Sequence, residues 1–205
     1  KLSLVARGVR KVKSKLAGGI ELFSVSQITY IPPRAGSGLG TLVSARLITH
    51  YGKIVQQIDR TMQGYDLIKQ LDKVTEDSPE PEYFELLEHT FVALNDFTVS
   101  QALIGVWYRA QLLTQAGHTP NLDTDDTGNP LQADQRYEFR DDEACFVLRE
   151  NGMYGAAEIK FLRLLFSGAI PQALARVQGG TDLANKLQPI LRTLCQYHLT
   201  ATASL

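Results

Sequence analysis

The sequence predicts an α+β fold: a β-rich opening followed by a helical remainder. Three observations lead there. Three runs of period-two, β-branched or aromatic character precede residue 51. Apolar spacing then turns helical from about residue 53. The balance of charge reverses across the same stretch. Domains are therefore expected at 1–50 and 51–205, with residues 121–150 as an insertion in the second.

The first β run is KLSLVAR, in which Leu2, Leu4 and Ala6 alternate with Ser3 and Arg7. The second is Leu22 to Ile31, LFSVSQITYI, dense in β-branched and aromatic residues. The third, TLVSARLI, sets Val43, Ala45 and Leu47 on one face and Ser44 and Arg46 on the other. Gly18-Gly19 and the stretch Pro32 to Gly40 supply the connections. Three antiparallel strands are expected, too few to close a barrel or to cover both edges. The chain opens on Lys1 and enters a strand at once, which predicts further strands upstream and a small five-stranded barrel.

Helical spacing begins with Ile54, Ile58, Met62, Tyr65 and Ile68, expected to face a core. EDSPEPE, Glu76 to Glu82, interrupts it, with Ser78 as a possible N-cap and prolines suited to a first turn. Phe84, Leu87, Phe91 and Leu94 mark a second helix. Val99, Leu103, Val106, Ala110 and Leu113 mark a third, stopped by Gly117 and Pro120. Two more are expected around Ile159, Leu162 and Phe166, and around Leu183, Leu187, Ile190 and Leu194. Residues 121–150 are polar and acid-rich, with short β-like pieces such as ACFVL.

The net charge of −1 conceals an asymmetry. Residues 1–60 hold ten Lys and Arg against two acids, a surplus of eight positive charges, while the remainder holds eleven basic and twenty acidic residues. A chain so divided presents one face to a polyanion. Arg7, Arg10, Lys11, Lys13 and Lys15 fall within nine residues with no acid among them. Mutually repelling charges gain little from the fold, so an external counter-charge is the economical reading, with phosphate contacts whose strength falls steeply with salt. An anionic membrane surface or an acidic protein partner would supply the same counter-charge.

Other classes find less support. With 44% hydrophobic and 21% charged residues, the composition is that of a globular protein, and a bilayer-spanning apolar run and a signal-peptide pattern are both absent. Two cysteines, Cys145 and Cys195, make no disulfide framework and read as small buried hydrophobes; cytoplasmic residence is expected. Gly36 to Gly40, GSGLG, leads into a strand and no Lys-Ser/Thr follows, so it reads as a hairpin and not a phosphate loop. DTDDTG, with Asp123, Asp125, Thr127, Gly128 and Asp134, has calcium-loop spacing. Pro130, the final Asp in place of Glu and the non-helical flanks favour a polar turn instead. His50, His89, His118 and His198 are scattered, Trp107 reads as packing, and no catalytic constellation is present, so a non-enzymatic protein is expected.

These pieces together resemble the RecO family of bacterial DNA repair proteins. KLSLVARGVRKVKSKLAGGIELFS is similar to the family's barrel segment, and GLGTLVSARLI to its last barrel strand. LIKQLDKVTEDSPEPEYFELLEHTFVALN resembles its paired helices, and LIGVWYRAQLLTQAGHTPNL its helix with a Pro-x-Leu exit. The similarity runs from Lys1 to about Leu122 and resumes weakly after Gly155.

The resemblance implies an N-terminal OB-type antiparallel β-barrel, whose first two strands precede Lys1, followed by an all-helical domain. It implies binding to single- and double-stranded DNA, annealing of complementary strands, contact with the acidic C-terminal tail of single-stranded-DNA-binding protein, and partnership with RecR in loading recombinase. DNA contact carries over to Arg7, Arg10, Lys11, Lys13 and Lys15, and Arg34 joins them by charge alone. Many relatives place a zinc ribbon after the Pro-x-Leu exit; here LDTDDTG puts Thr124 and Thr127 at both cysteine positions, and only Cys145 remains of a second pair. Hydroxyls do not hold structural zinc. The 121–150 insertion is therefore expected as a degenerate, zinc-less ribbon held by packing, with no metal or other cofactor. The expected protein is a cytoplasmic, nucleoid-associated recombination mediator with no membrane partner. The alternative is a protein-binding adaptor whose basic loop meets an acidic partner tail.

Overall fold

The computed structural model describes residues 2–9, 16–33, 38–75 and 80–200. The chain divides into two compact units, Lys1–Thr61 and Met62–Leu205.

The first unit is built on a three-stranded sheet of β1 (Leu4–Val5), β2 (Ser24–Ile31) and β3 (Gly40–His50), in the order β1-β3-β2. β2 and β3 pair antiparallel, with Gln27 opposite Arg46 and Ile28 opposite Ala45. Register shifts at Val25/Ser26 and Thr29/Tyr30 add local twist. β1 corrects the expectation of three antiparallel strands: it runs parallel to β3, Leu4 opposite Gly40 and Val5 opposite Thr41. A parallel pair needs a crossover between its strands, and the chain from residue 6 to β2 supplies the start of one. The described residues close no barrel, because three strands are too few to curl back on themselves. The sheet stays open, and Val43 and Leu47 on its apolar face are 52% and 42% exposed. A 3₁₀ turn at Ala17–Gly19 packs on β3, and a second, Ile54–Gln56, follows it.

The second unit contains most of helix α1 (Ile58–Val74), then α2 (Pro81–Asn95), α3 (Gln101–Gln115), α4 (Ala156–Phe166), the single turn α5 (Pro171–Leu174) and α6 (Gly180–Thr200). α3 is its axis. Leu103 to Tyr108, Ala110, Leu112 and Leu113 are all buried, so α3 is covered on every side, by α2, α4, α5 and α6. Ser100 caps it by accepting from Leu103 N at 3.3 Å, and Gly117, with φ of +79°, ends it. Polar side chains of α3 finish its neighbours: Trp107 Nε1 donates to Ala169 O at 2.7 Å and Gln111 Nε2 to Leu165 O at 2.6 Å, capping the end of α4.

α1 corrects the face read from the sequence. Ile58 and Met62 are 75% and 56% exposed, while Leu67 and Leu71 are buried. Tyr108 Oη donates to Leu67 O at 2.7 Å and Gln63 Nε2 to Gln101 O at 2.8 Å, and these bonds to α3 fix which side turns inward. α2 is likewise rotated by about one position. Tyr83, Leu86, Phe91 and Leu94 are buried and Phe84 is exposed. Its N-cap is Glu80, with Pro81 in the first turn; Ser78 lies outside the described residues. Among the described residues no helix is long and apolar enough to cross a membrane.

Between α3 and α4 lies the hairpin β4 (Tyr137–Arg140) and β5 (Cys145–Leu148), antiparallel from Tyr137/Leu148 to Arg140/Cys145. Phe146 is fully buried and meets Tyr137, Phe139 and Tyr154 edge-on, with ring centroids 6.2, 5.1 and 6.1 Å away. Arg163 of α4 donates from Nε and Nη2 to Leu122 O, tying the insertion to the helices.

Candidate nucleic-acid interface

The basic segment begins where β1 ends. Arg7 is exposed in a turn over residues 7–9, and Gly8, with φ of +76°, takes a conformation that costs other residues more. Of the six residues singled out from the sequence, Arg7 is described. Arg10, Lys11, Lys13, Lys15 and Arg34 lie outside the described residues. What the structure fixes is the two ends of the segment. On one side β1 is held to the start of β3, with Gly40 N donating to Ser3 O at 2.9 Å. On the other, Leu16 is buried and Gly19 lies against Ala45. Thr41 and Ala45 are four residues apart on β3, roughly 13 Å at strand rise. The run from Arg7 to Lys15 is thus flanked on both sides by residues that rest on one strand, β3.

The sheet adds a polar stripe that the sequence analysis did not include in the site. Gln27 and Thr29 stand opposite Arg46 and Ser44, and all four are exposed. Alternation puts them on one face, with Ile28, Ala45 and the 3₁₀ turn on the other. Arg46 was legible as the polar member of an alternating strand, but strand order was needed to see its cross-strand partner.

In the 121–150 insertion, Thr124 and Thr127, which the family resemblance sets against cysteines, are engaged in hydrogen bonds. Asn121 Nδ2 donates to Thr124 Oγ1 at 2.7 Å, and Thr127 Oγ1 donates to Asp125 Oδ1 at 2.7 Å. Asp125 Oδ1 also accepts from Thr127 N and Asn129 N, and these bonds hold its carboxyl below the usual carboxylate range. The polar turn expected from the sequence is what forms, with Asp125 turned to its own backbone and Asp123 beside Arg163. Among the described residues no three His, Cys, Asp or Glu side chains converge.

The remaining candidates settle into packing roles. Cys145 is buried and Cys195 half-buried; both thiols are free, and burial pushes Cys195 up to about 12. Trp107 is buried and hydrogen-bonded. Gly38 lies before β3, so the glycine run opens a strand, as a hairpin connection does. His118 and His198 stack with ring centroids 4.6 Å apart, a pairing invisible across 80 positions of sequence.

The comparisons with known proteins agree on one family. Residues 57–203, well over half of the chain, match the model of the family described as "Recombination protein O C terminal". A DNA repair protein RecO from Listeria welshimeri is 37% identical over 116 residues, covering 56% of this chain and 40% of that protein. The namesake from Bacillus cytotoxicus is 32% identical over 125 residues, covering 60% of this chain and 49% of its own. The chain thus spans less than half the length of the curated relatives it matches.

Proposed function

This chain belongs to the RecO family, and from that premise we propose that it is a non-enzymatic, DNA-binding mediator of recombinational repair. It binds single- and double-stranded DNA, anneals complementary single strands and helps load the recombinase. RecR and the acidic tail of single-stranded-DNA-binding protein are its proposed protein partners, in the nucleoid-bearing cytoplasm. The open sheet is read as part of an OB-type barrel. No cofactor enters this scheme.

The observation that carries the reading is the run from Arg7 to Lys15, five cations without an acid, with Val5 before it and Gly19 after it both seated on β3. A dense run of cations with no acid among them suits contacts along a phosphate backbone, which carry no base readout. The printed names of the relatives, DNA repair proteins, support the same class of role.

The test replaces Arg10, Lys11 and Lys13 together by Ala and measures affinity for single-stranded DNA at low salt. The expected result is a large loss, with the slope of log affinity against log salt falling by about 0.7 for each phosphate contact removed. Unchanged affinity sinks the proposal. A shallow salt slope in the unmodified protein, with tight binding to an acidic peptide, assigns the loop to a protein adaptor instead.

A further inference from the structure

The acid-rich second unit contains a local reversal of its own charge. A cavity of about 300 Å³ opens between the C-terminal half of α1, the middle of α3 and the last turns of α6. Three cations line it, one from each helix: Lys73, Arg109 and Arg192. Among the described residues its lining includes no Asp or Glu, and Gln70 adds an amide donor. Lys73 and Arg192 are exposed and make no ion pair among the described residues.

Arg109 is the anchored member. Its Nη1 donates to Gly105 O at 2.8 Å, which holds the guanidinium half-buried at the cavity wall. Burial pulls its proton affinity down and the nearby positive charge of Arg192 acts in the same direction, while Asp66 of α1 acts against both. Cys195, also in the lining, gives no relief, because burial raises its thiol to about 12 and leaves it neutral. The helices therefore hold the partly desolvated Arg109 close to a second cation, Arg192, with Asp66 a partial offset. An anion seated among them removes both penalties.

We propose that this cavity is a phosphate-binding site that receives the backbone of a nucleic-acid strand. Guanidinium forks match phosphate oxygens two at a time, and Lys73 adds a mobile point charge. A phosphodiester backbone presents evenly repeated negative charges along one strand, whereas an acidic peptide carries its carboxylates on separate flexible side chains. Three cations carried on three separate helices fit the former. The site rests on the DNA-binding reading above and extends it from the basic loop of the first unit to the helical unit.

The experiment uses the full chain and a labelled oligothymidylate. Lys73→Gln combined with Arg192→Gln removes two exposed charges without touching the Arg109 anchor. The expected loss of affinity at low salt is on the order of tenfold, with the salt slope reduced by about 0.7 per cation. A Lys69→Gln control, on α1 but outside the lining, leaves the slope within that of the unmodified protein. A second measurement needs no variant: the Arg109 side-chain NMR signal of the unmodified protein is followed against oligothymidylate, inorganic phosphate and a tetra-aspartate peptide. The proposal expects the signal to move with the oligonucleotide. It is overturned if the double variant binds as the unmodified protein does. It is equally overturned if the signal answers only to the peptide, which assigns the cavity to a protein partner, or only to inorganic phosphate, which assigns it to a free anion. If the unmodified protein binds no DNA at all, the broader reading fails; normal binding with an indifferent double variant fails this site alone.

Discussion

Gly19 lies directly over Ala45. A Cβ on Gly19 would stand 2.5 Å from the Ala45 carbonyl oxygen and 2.7 Å from its Cβ. The blocking atoms are mostly backbone, so no rotamer change makes room. The Gly19→Ala variant must push the 3₁₀ turn off β3, at an expected cost of about 1–3 kcal/mol. The same displacement releases the turn that follows the basic run, so thermal stability and single-stranded-DNA affinity are expected to fall together. A variant as stable as the unmodified protein would contradict the close approach.

Trp107 Nε1 donates to Ala169 O at 2.7 Å from a buried ring. Replacing it by Phe keeps most of the packing and removes the donor, leaving a carbonyl at the end of α4 without this partner. The expected destabilisation is about 1–3 kcal/mol. Trp107 is the chain's single tryptophan, so urea denaturation should be followed by circular dichroism.

Glu158, buried in the first turn of α4, links two helices. Its Oε2 accepts from Gly155 N at 3.0 Å and its Oε1 from Lys186 Nζ of α6 at 2.8 Å. Burial raises its pKa, but the bonds from Lys186 and Gly155 outweigh it and hold the carboxyl below its usual value of 4.5. A depressed folded value means that this stabilisation is present above about pH 4.5 and disappears as acid protonates the folded state. Glu158→Gln is therefore expected to melt below the unmodified protein at pH 7, with the gap closing toward pH 3. A gap that persists at pH 3 would show that packing, not ionisation, carries the effect.

Phe146 takes the central place in the insertion, touching three aromatic rings and fully buried. Phe146→Ala is expected to cost about 3–5 kcal/mol. Loss of hydrogen-exchange protection should begin between β4 and β5 while α3 stays protected. Uniform loss across both would mean that the insertion and helices unfold as one.

The order of elements was largely legible, and the reasons differ from element to element. α3 was read correctly because every face of it is buried, so no choice of stripe was needed. α1 carries two apolar stripes, and periodicity alone favoured Ile58, Met62 and Tyr65. Hydrogen bonds from Tyr108 and Gln63 give the inward side to Leu67 instead. β1 was legible as a strand, but its direction depends on a crossover that local pattern does not encode. In the candidate site, the run of charge from Arg7 to Lys15 was visible as composition. The seating of its flanking residue Gly19 on β3 was not, because Gly19 and Ala45 are separated by 26 positions.

By itself, the sequence determined the class of each segment, the concentration of positive charge in its first sixty residues and the polar, acid-rich character of the 121–150 insertion. These are local properties, set by side-chain chemistry and spacing along the chain. Tertiary structure decided which helix faces are covered, how aromatic packing around Phe146 supports the insertion, and that Lys73, Arg109 and Arg192 share one cavity. Those three cations stand up to 119 positions apart in an acid-rich region, where a summed charge conceals them. Charge acts through distance in space, and only the packing of α1, α3 and α6 sets that distance.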